Sequence, residues 1–424
     1  MTEQLKLKLN DSKATRWGAL VIVAFTMMAA YYVNDVVAPL KTMLETDLAW
    51  SSTDFGFFTG GYSFLNVFFL MLIWGGLILD RFGIRFTGKL ATILMVGGTA
   101  LEYYAMTGLA GADATLFGIN EIFGYKTGVF VAFAGYSIFG VGAEVAGITV
   151  SKIIAKWFKG KELATAMGVQ VALARIGSQA GYAVAIPLAR AFGISTPVLL
   201  GLVLLLGGMI AFFVFAVMDK KLDKQMEAAA IAAGTEDEEE KFSFKDVKNI
   251  LVNPGFWLIA LLCVLFYSCV FPFQKFASEL MIIKYGINEN VAGTFAGLPA
   301  LGALILTPVF GGFIDKRGKS ASIMLLGSAM LICVHFIYAI PDINYWLVAI
   351  VLMIILGIAF SLVPSAMWPA VAKIFPVSQL GTAYALIFFI QNIGLWGIPT
   401  LIGWVLDAYC ISGKKPDGTN MYDY

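Results

Sequence analysis

Long apolar runs separated by short polar turns make up most of this chain. Eleven of them lie at about residues 17–41, 52–79, 87–109, 128–151, 162–189, 195–218, 254–284, 291–314, 320–340, 344–373 and 378–408. Each is long enough to cross a bilayer as a helix, since about 20 apolar residues span the hydrocarbon core. The longer runs predict tilted or bent helices. One polar stretch stands apart, from Asp219 to Asn253, with the acidic run Glu236–Glu240 inside it. It reads as a solvated linker between two halves, with basic flanks suited to anionic headgroups. The pattern therefore predicts an N-terminal bundle over residues 1–218, a linker over 219–253 and a C-terminal bundle over 254–424.

The halves repeat each other. Gly76-Leu-Ile-Leu-Asp80-Arg81-Phe-Gly83-Ile-Arg85 returns 235 positions later as Gly311-Gly-Phe-Ile-Asp315-Lys316-Arg-Gly318-Lys319. Leu163-Ala-Thr165-Ala166 through Ile176-Gly177 returns 217 positions later as Leu380-Gly-Thr382-Ala383 through Ile393-Gly394. Self-similarity at this scale marks duplicated structural units. The first half must hold 18 extra residues (235 less 217) between those landmarks, and the loop Ala110–Thr127 is where they fit. This register sets Arg175 against Asn392 and Glu144 against Ser361, which predicts a cavity charged on one side and neutral polar on the other.

Composition agrees with a membrane protein. Of 424 residues, 59% are hydrophobic and 13% charged, and the mean hydropathy is +0.82; a soluble domain carries about 25% charged residues. The 29 Lys and Arg divide unevenly, with 21 on the side of the N-terminus, six opposite and two, Arg175 and Lys275, within spans. That excess predicts a cytoplasmic N-terminus. A net charge of +1 says nothing about nucleic acid, and no basic cluster with interleaved aromatics supports it, so no nucleic-acid partner is expected. Four cysteines without a CxxC pair, and the single His335, argue against a zinc site or a disulfide framework. No nucleophile–base or metal constellation points to an enzyme, and no cofactor is expected. The polar, basic Met1–Arg16 carries no cleavable signal.

Two lone charges mark a functional centre. Glu144 and Arg175 sit at equal distances from the polar bend Lys159-Gly160-Lys161, so both fall near mid-bilayer. Charges at that depth are costly, and the default reading is a substrate or ion pathway. Arginine grips a carboxylate through two parallel hydrogen bonds, and a carboxylate opposite it suits an ammonium. Two peptide units span at most about 7 Å, so this pair fits the two ends of a short zwitterion better than a single amino acid. Glu144 and Arg175 can instead neutralise each other. Trp368, between Pro364 and Pro369, lies where span 10 loses two backbone donors and is a candidate platform in the cavity. Gln391 and Asn392 are adjacent, so one faces the cavity squarely, and the repeat register favours Asn392. Tyr31, Tyr32, Tyr62 and Asn66 complete the candidate lining. Asp35 and Lys275, near the outer ends of spans 1 and 7, are candidates for an outer gate; Lys275 with Glu279 one turn on is the competing pair. Glu102 is a candidate proton site or part of a polar seam, and His335 reads as a packing residue.

The turn G-x-x-x-D-R-x-G-x-R between spans 2 and 3 resembles the signature loop of the major facilitator superfamily, and the second copy strengthens the resemblance. It implies an all-α membrane fold of two pseudo-symmetric helical bundles rocking about a central site. Its glycine is expected to allow close helix approach, and Asp80, Arg81, Arg85, Asp315 and Lys316 to gate. The superfamily has twelve spans, so a twelfth is expected beyond Tyr424. The stretch Met367-Trp368-Pro369 through Tyr384, with Gln391-Asn392-Ile-Gly394, is similar to the lysosomal dipeptide transporter branch. That resemblance implies a dipeptide uniporter in which Glu144 holds the amino group, Arg175 the carboxylate, and Trp368 packs on the peptide. The alternative is a proton-coupled carrier of small organic anions such as monocarboxylates, with Arg175 on the anion and Glu144 titrating. A receptor or scaffold is a third reading, against which the repeated gating turns argue. The one sequon, Asn10-Asp-Ser12, is on the cytoplasmic side, and no acidic dileucine signal is present. The expectation is thus a monomer in a bacterial inner membrane, or a lysosomal membrane if eukaryotic, with no accessory subunit indicated.

Overall fold

In the computed structural model, which describes residues 8–111, 114–233, 244–375, 377–416 and 418–423, the apolar runs are helices. The first half comprises α1 (Lys13–Val36), α2 (Lys41–Leu48), α3 (Ser52–Phe68), α4 (Met71–Thr107), α5 (Thr127–Trp157), α6 (Leu163–Phe192) and α7 (Thr196–Ala233). The second comprises α8 (Phe244–Val252), α9 (Pro254–Ile283), α10 (Glu289–Ala296), α11 (Leu298–Arg317), α12 (Ser320–Tyr338), α13 (Trp346–Ile374) and α14 (Val377–Tyr409). Two antiparallel hairpins complete it, β1 (Glu121–Ile122) with β2 (Tyr125–Lys126), and β3 (Ile411–Lys414) with β4 (Asn420–Tyr422). All eleven predicted spans fall on these helices. Among the described residues, eight helices are long and apolar enough to cross a membrane by themselves, or nine with the bent pair α3–α4.

Local chemistry sets the breaks. Ser51 Oγ accepts from the Asp54 N–H at 3.0 Å while Asp54 accepts from the Ser51 N–H at 2.9 Å, a reciprocal cap that starts α3. Leu70, at φ +53°, separates α3 from α4 and the two are bent by 58°. Gly83 lies within α4 at φ +73°, ψ 174°, a conformation essentially restricted to glycine. Its repeat partner Gly318 ends α11 at φ +68°. The signature glycines were expected to let helices approach closely. Instead, a Cβ at Gly76, Gly83 or Gly318 would meet nothing within 4 Å, so Gly83 and Gly318 serve the turn.

Three further features follow from the helix bounds. α7 does not end at residue 218 but runs to Ala233, because Asp219 and Asp223 extend it by pairing with Lys156 and Arg85. The linker is thus partly helical, and its acidic run Glu236–Glu240 lies outside the described residues. α13 passes through Pro364 and Pro369 as one helix; Ser365 Oγ donates to the Ser361 carbonyl at 2.6 Å within the turn where the prolines remove donors. The connection before α5 is longer than its counterpart, residues 108–126 against 339–345 (19 residues against 7), and so supplies twelve of the 18 extra residues.

Within the first half α1 packs on α6 and α7, and α4 on α5 and α7; within the second, α13 packs on α11 and α12, and α14 on α9. One apolar core draws mainly on the first half and a second mainly on the second. The halves meet through α3 with α14 and through α6 with α10 and α11, and Gly56 and Gly403 bring α3 and α14 into backbone contact.

Candidate functional site

Between the halves lies a cavity of about 970 Å³. At the face that carries the N-terminus its wall includes Asp80, Ser151 and Val247, and at its blind end are Asp35 and Lys275. Glu144, from the middle of α5, and Arg175, from α6, both line it and are half-buried. Among the described residues no ion pair joins them. Glu144 Oε1 accepts instead from the Tyr62 hydroxyl at 3.0 Å. Gly140, one turn before Glu144, lies against the Tyr62 backbone with no room for a Cβ, and this close approach of α3 puts the phenol within reach of the acid. The Arg175 guanidinium lies 5.6 Å from the Tyr31 ring centre and 5.0 Å from that of Phe360. Flat rings hold a guanidinium by cation–π attraction without consuming its N–H donors, so both charged groups keep hydrogen-bonding capacity for a guest.

The opposite wall is aromatic. Trp368 Nε1 donates to the Tyr267 hydroxyl at 3.3 Å, its ring stacks on Phe388 at 4.8 Å, and the Tyr384 hydroxyl donates to its carbonyl at 3.1 Å. Gln391 lines the cavity, and its Oε1 accepts from Cys263 Sγ at 3.3 Å. The cavity is therefore charged on one side and aromatic on the other, not neutral polar as the repeat register suggested. Ser361 and Asn392, the register partners of Glu144 and Arg175, are fully buried within the second half. Asn392 Nδ2 donates to the Phe388 carbonyl at 2.9 Å, so of the adjacent pair it is Gln391 that reaches the cavity.

Two other expected lining residues also turn away. Tyr32 donates to the Pro197 carbonyl at 3.2 Å on the buried face of α1, and its neighbour Tyr31 faces the cavity instead. Asn66 is buried on the Tyr62 carbonyl. Glu102 is fully buried in α4, with neither carboxylate oxygen bonded among the described residues. His335 packs edge-on against Phe273 at 4.9 Å. Tyr267, Phe360 and Phe388 were missed by sequence reasoning. Tyr267 follows Tyr31 by 236 positions, one from the repeat offset, and applying the offset to α1 finds it; the two phenylalanines are indistinguishable from core residues in a sequence this apolar.

The face opposite the N-terminus is closed. Lys275 of α9 pairs with Asp35 of α1 at 3.0 Å and also donates to the Asn34 carbonyl. The Tyr136 hydroxyl, 3.4 Å from Lys275, donates to that carbonyl at 2.8 Å, and Ser178 donates to the other Asp35 oxygen. Glu279, the competing partner for Lys275, is taken by Lys41 at 2.6 Å. Arg190 pairs with Glu289. Asp407, at the end of α14, accepts from the Thr53 and Ser52 N–H groups at 2.6 and 3.3 Å, so a carboxylate of one half caps a helix start of the other.

At the N-terminal face the described ion pairs stay inside the first half. Asp80 pairs with Lys152 at 3.0 Å, and Arg85 with Asp223 at 2.6 Å. Arg81 and Lys316 are exposed; the Asp315 side chain lies outside those described. Among the described side chains of the signature turns, no ion pair joins the halves. Every described ion pair that joins the halves is at the far face, and the cavity opens at the other.

Comparison with known proteins gives the same architecture. The chain is 29% identical over 409 residues to the "Lysosomal dipeptide transporter MFSD1" of Homo sapiens, covering 93% of this chain and 81% of that protein. Its fold superposes on a mutant of the nucleoside transporter NupG with a TM-score of 0.68 at 13% identity, over 95% and 93% of the two chains. On a bacterial homolog of the human lysosomal transporter Spinster the TM-score is 0.65 at 16% identity, over 94% and 84%. Residues 20–397 match the profile of the Major Facilitator Superfamily, and the chain belongs to that superfamily of membrane transporters.

Proposed function

We propose that this transporter moves dipeptides by alternating access, as a uniporter, with Glu144 holding the peptide's amino group and Arg175 its carboxylate. The observation that carries this reading is the separation of the two charges. Opposite charges line one cavity, yet Glu144 is held by Tyr62 and Arg175 by the rings of Tyr31 and Phe360. A pair kept only to neutralise itself would close directly, and buried pairs contribute little net stability. Two held-apart charges instead offer complementary ends to a zwitterion. Trp368, Tyr267 and Gln391 form the wall along which the peptide's side chains lie. The volume of about 970 Å³ stands near the top of the roughly 300–1,000 Å³ range of ligand cavities, which suits a carrier tolerant of many side chains. The similarity to a curated dipeptide transporter over most of both chains supports the same substrate class.

The excess of Lys and Arg on the N-terminal side puts that face in the cytoplasm, and a bacterial inner membrane is the location we favour. In that orientation the structure is the inward-open state. Rocking the halves would break the far-face pairs and bring the Asp80 and Asp315 turns against the opposite half. Asn392, Tyr32 and Asn66 have no part in binding here, whereas Tyr31 does.

A ligand that binds only the folded state raises its melting temperature. A panel of free dipeptides is expected to raise Tm, whereas N-acetylated dipeptides and single amino acids are not. Arg175→Ala should abolish both the shift and uptake while the protein still folds and reaches the membrane. Near-normal uptake by that variant rejects the clamp, and equal shifts by amine-blocked ligands favour an anion carrier.

A further inference from the structure

The second span is broken where its sequence gives no reason to break. α3 ends at Phe68, α4 starts at Met71, and the two diverge by 58° at Leu70, whose φ is +53°. Sharp kinks in helices are almost always traced to proline, to glycine or to an inserted group. Between Gly61 and Gly75 there is neither glycine nor proline. Leu70 and Met71 are strong helix formers, and a left-handed conformation strains any residue with a Cβ. The break also leaves backbone groups unmet. Among the described residues, the N–H groups of Leu70, Met71 and Leu72 and the carbonyls of Asn66, Val67 and Phe68 make no backbone hydrogen bond. Joined in order, these are the three bonds that a continuous helix would form. Unmet backbone groups are costly inside a bilayer, and Phe68, Phe69 and Leu70 are exposed. Local sequence and local energy both favour a straight helix, so the rest of the fold imposes the bend.

α5 holds the bent segment on one side. Gly75 lies against Val145 with no room for a Cβ, and Asp80 pairs with Lys152 at 3.0 Å. The other side is open. Ile73, Gly76 and Leu77 line the cavity, and a Cβ at Gly76 would meet nothing within 4 Å. Across the cavity stand Tyr384, Ala385 and Phe388 of α14. On the far-face side of the break, Gly56 and Gly60 set α3 against the α14 backbone; beyond it, α4 meets α14 at few points. Room to move therefore lies on the cavity side. We propose that this break is a strained hinge, bent while the cavity opens toward the N-terminal face, and re-formed as one continuous helix when residues 71–82 move over the cavity toward α14.

Strain at one residue persists only where its surroundings over-determine it. Here Leu70 and the three unmade bonds work against the open mouth, while the contact with α5 holds it open. The Asp80–Lys152 pair is exposed, and such pairs are weak holds. The hinge rests on the alternating-access reading above but not on the substrate. Its test uses no ligand, so a failed dipeptide panel leaves the hinge standing, and a failed hinge leaves the peptide clamp standing.

The test uses the full chain in lipid nanodiscs with Cys269, Cys333 and Cys410 replaced by serine, and distances measured by double electron–electron resonance. One pair of spin labels, at exposed positions 47 and 82, brackets the second span. A second pair, at exposed positions 192 and 291 on α6 and α10, reads the far face. Straightening a 58° bend between arms of this length lengthens the first distance by about 5 Å, at 1.5 Å rise per residue. Asp35→Ala loosens the far face, and is expected to lengthen both distances together. Leu70→Gly removes the penalty on positive φ and should hold the first distance short. Leu70→Ile raises that penalty, since β-branched residues are rare there, and should shift the population to the long distance. A far face that opens while the 47–82 distance stays unchanged overturns the hinge. So do glycine and isoleucine variants with the same 47–82 distribution. If the isoleucine variant fails to fold, the parent against Asp35→Ala decides; if Asp35→Ala leaves the far face shut, the two Leu70 variants decide.

Discussion

Asn392 and Gln391 differ by one position on α14 and by everything in their surroundings. A step of one residue on a helix turns a side chain by about 100°, which carries Gln391 into the cavity and Asn392 into the packed interior of the second half. The repeat register matched Asn392 to Arg175 correctly as sequence, but the second half does not present the matched position to the cavity. Substitution separates the two roles. Gln391→Ala should lower uptake with little change in Tm. Asn392→Ala should lower Tm by a few degrees, because deleting a buried hydrogen-bonding group costs about 1–3 kcal/mol, while substrate affinity per folded molecule holds. Uptake in proteoliposomes and thermal unfolding of the same preparations check both. The same one-residue ambiguity governs Tyr31 and Tyr32: α1 was legible as an apolar helix, but its cavity face was not, since both faces of a buried membrane helix are apolar.

At the scale of elements, the spans were readable because membrane helices must satisfy every backbone group internally, so their length and apolarity are set by the bilayer and not by their neighbours. The signature turn was equally readable, though its glycine serves a purpose other than the one its sequence suggests. Gly83 takes φ +73°, ψ 174° in open space, so Gly83→Ala should destabilise through the backbone alone, by about 1–3 kcal/mol. Gly76 sits in regular helix, where an added Cβ would meet nothing within 4 Å, and Gly76→Ala should be neutral or slightly stabilising. Comparing the two melting temperatures decides whether the turn's conformation or helix proximity requires the glycine. The end of α7 was not legible, because the charges that close the apolar run at Asp219 are neutralised by Lys156 and Arg85 from two other helices.

For the whole molecule, the balance between the two faces decides which way the cavity opens. Asp35 and Lys275 join the halves at the blind end of the cavity, and removing one partner of a buried pair costs about 3–5 kcal/mol because the other charge is left uncompensated. Asp35→Ala should therefore shift the population away from the far-face-closed state, lengthening the distance between labels at positions 192 and 291. Adding Lys275→Met should recover part of the loss, since an apolar side chain needs no partner. If the single variant keeps the parent's distance distribution, the pair is not a latch.

The sequence by itself determined the membrane class, the eleven apolar spans, the two-fold repetition, the signature turns and the two lone charges in spans 4 and 5. These depend on local composition and periodicity, which the bilayer and the backbone impose on each segment separately. Tertiary structure alone decided which face of each helix meets the cavity, that Glu144 rests on Tyr62 and Arg175 on two rings, and that the second span breaks at Leu70. Those arrangements come from helices distant in sequence packing side by side, and an apolar face looks the same whether it meets lipid, core or cavity until its neighbours are in place.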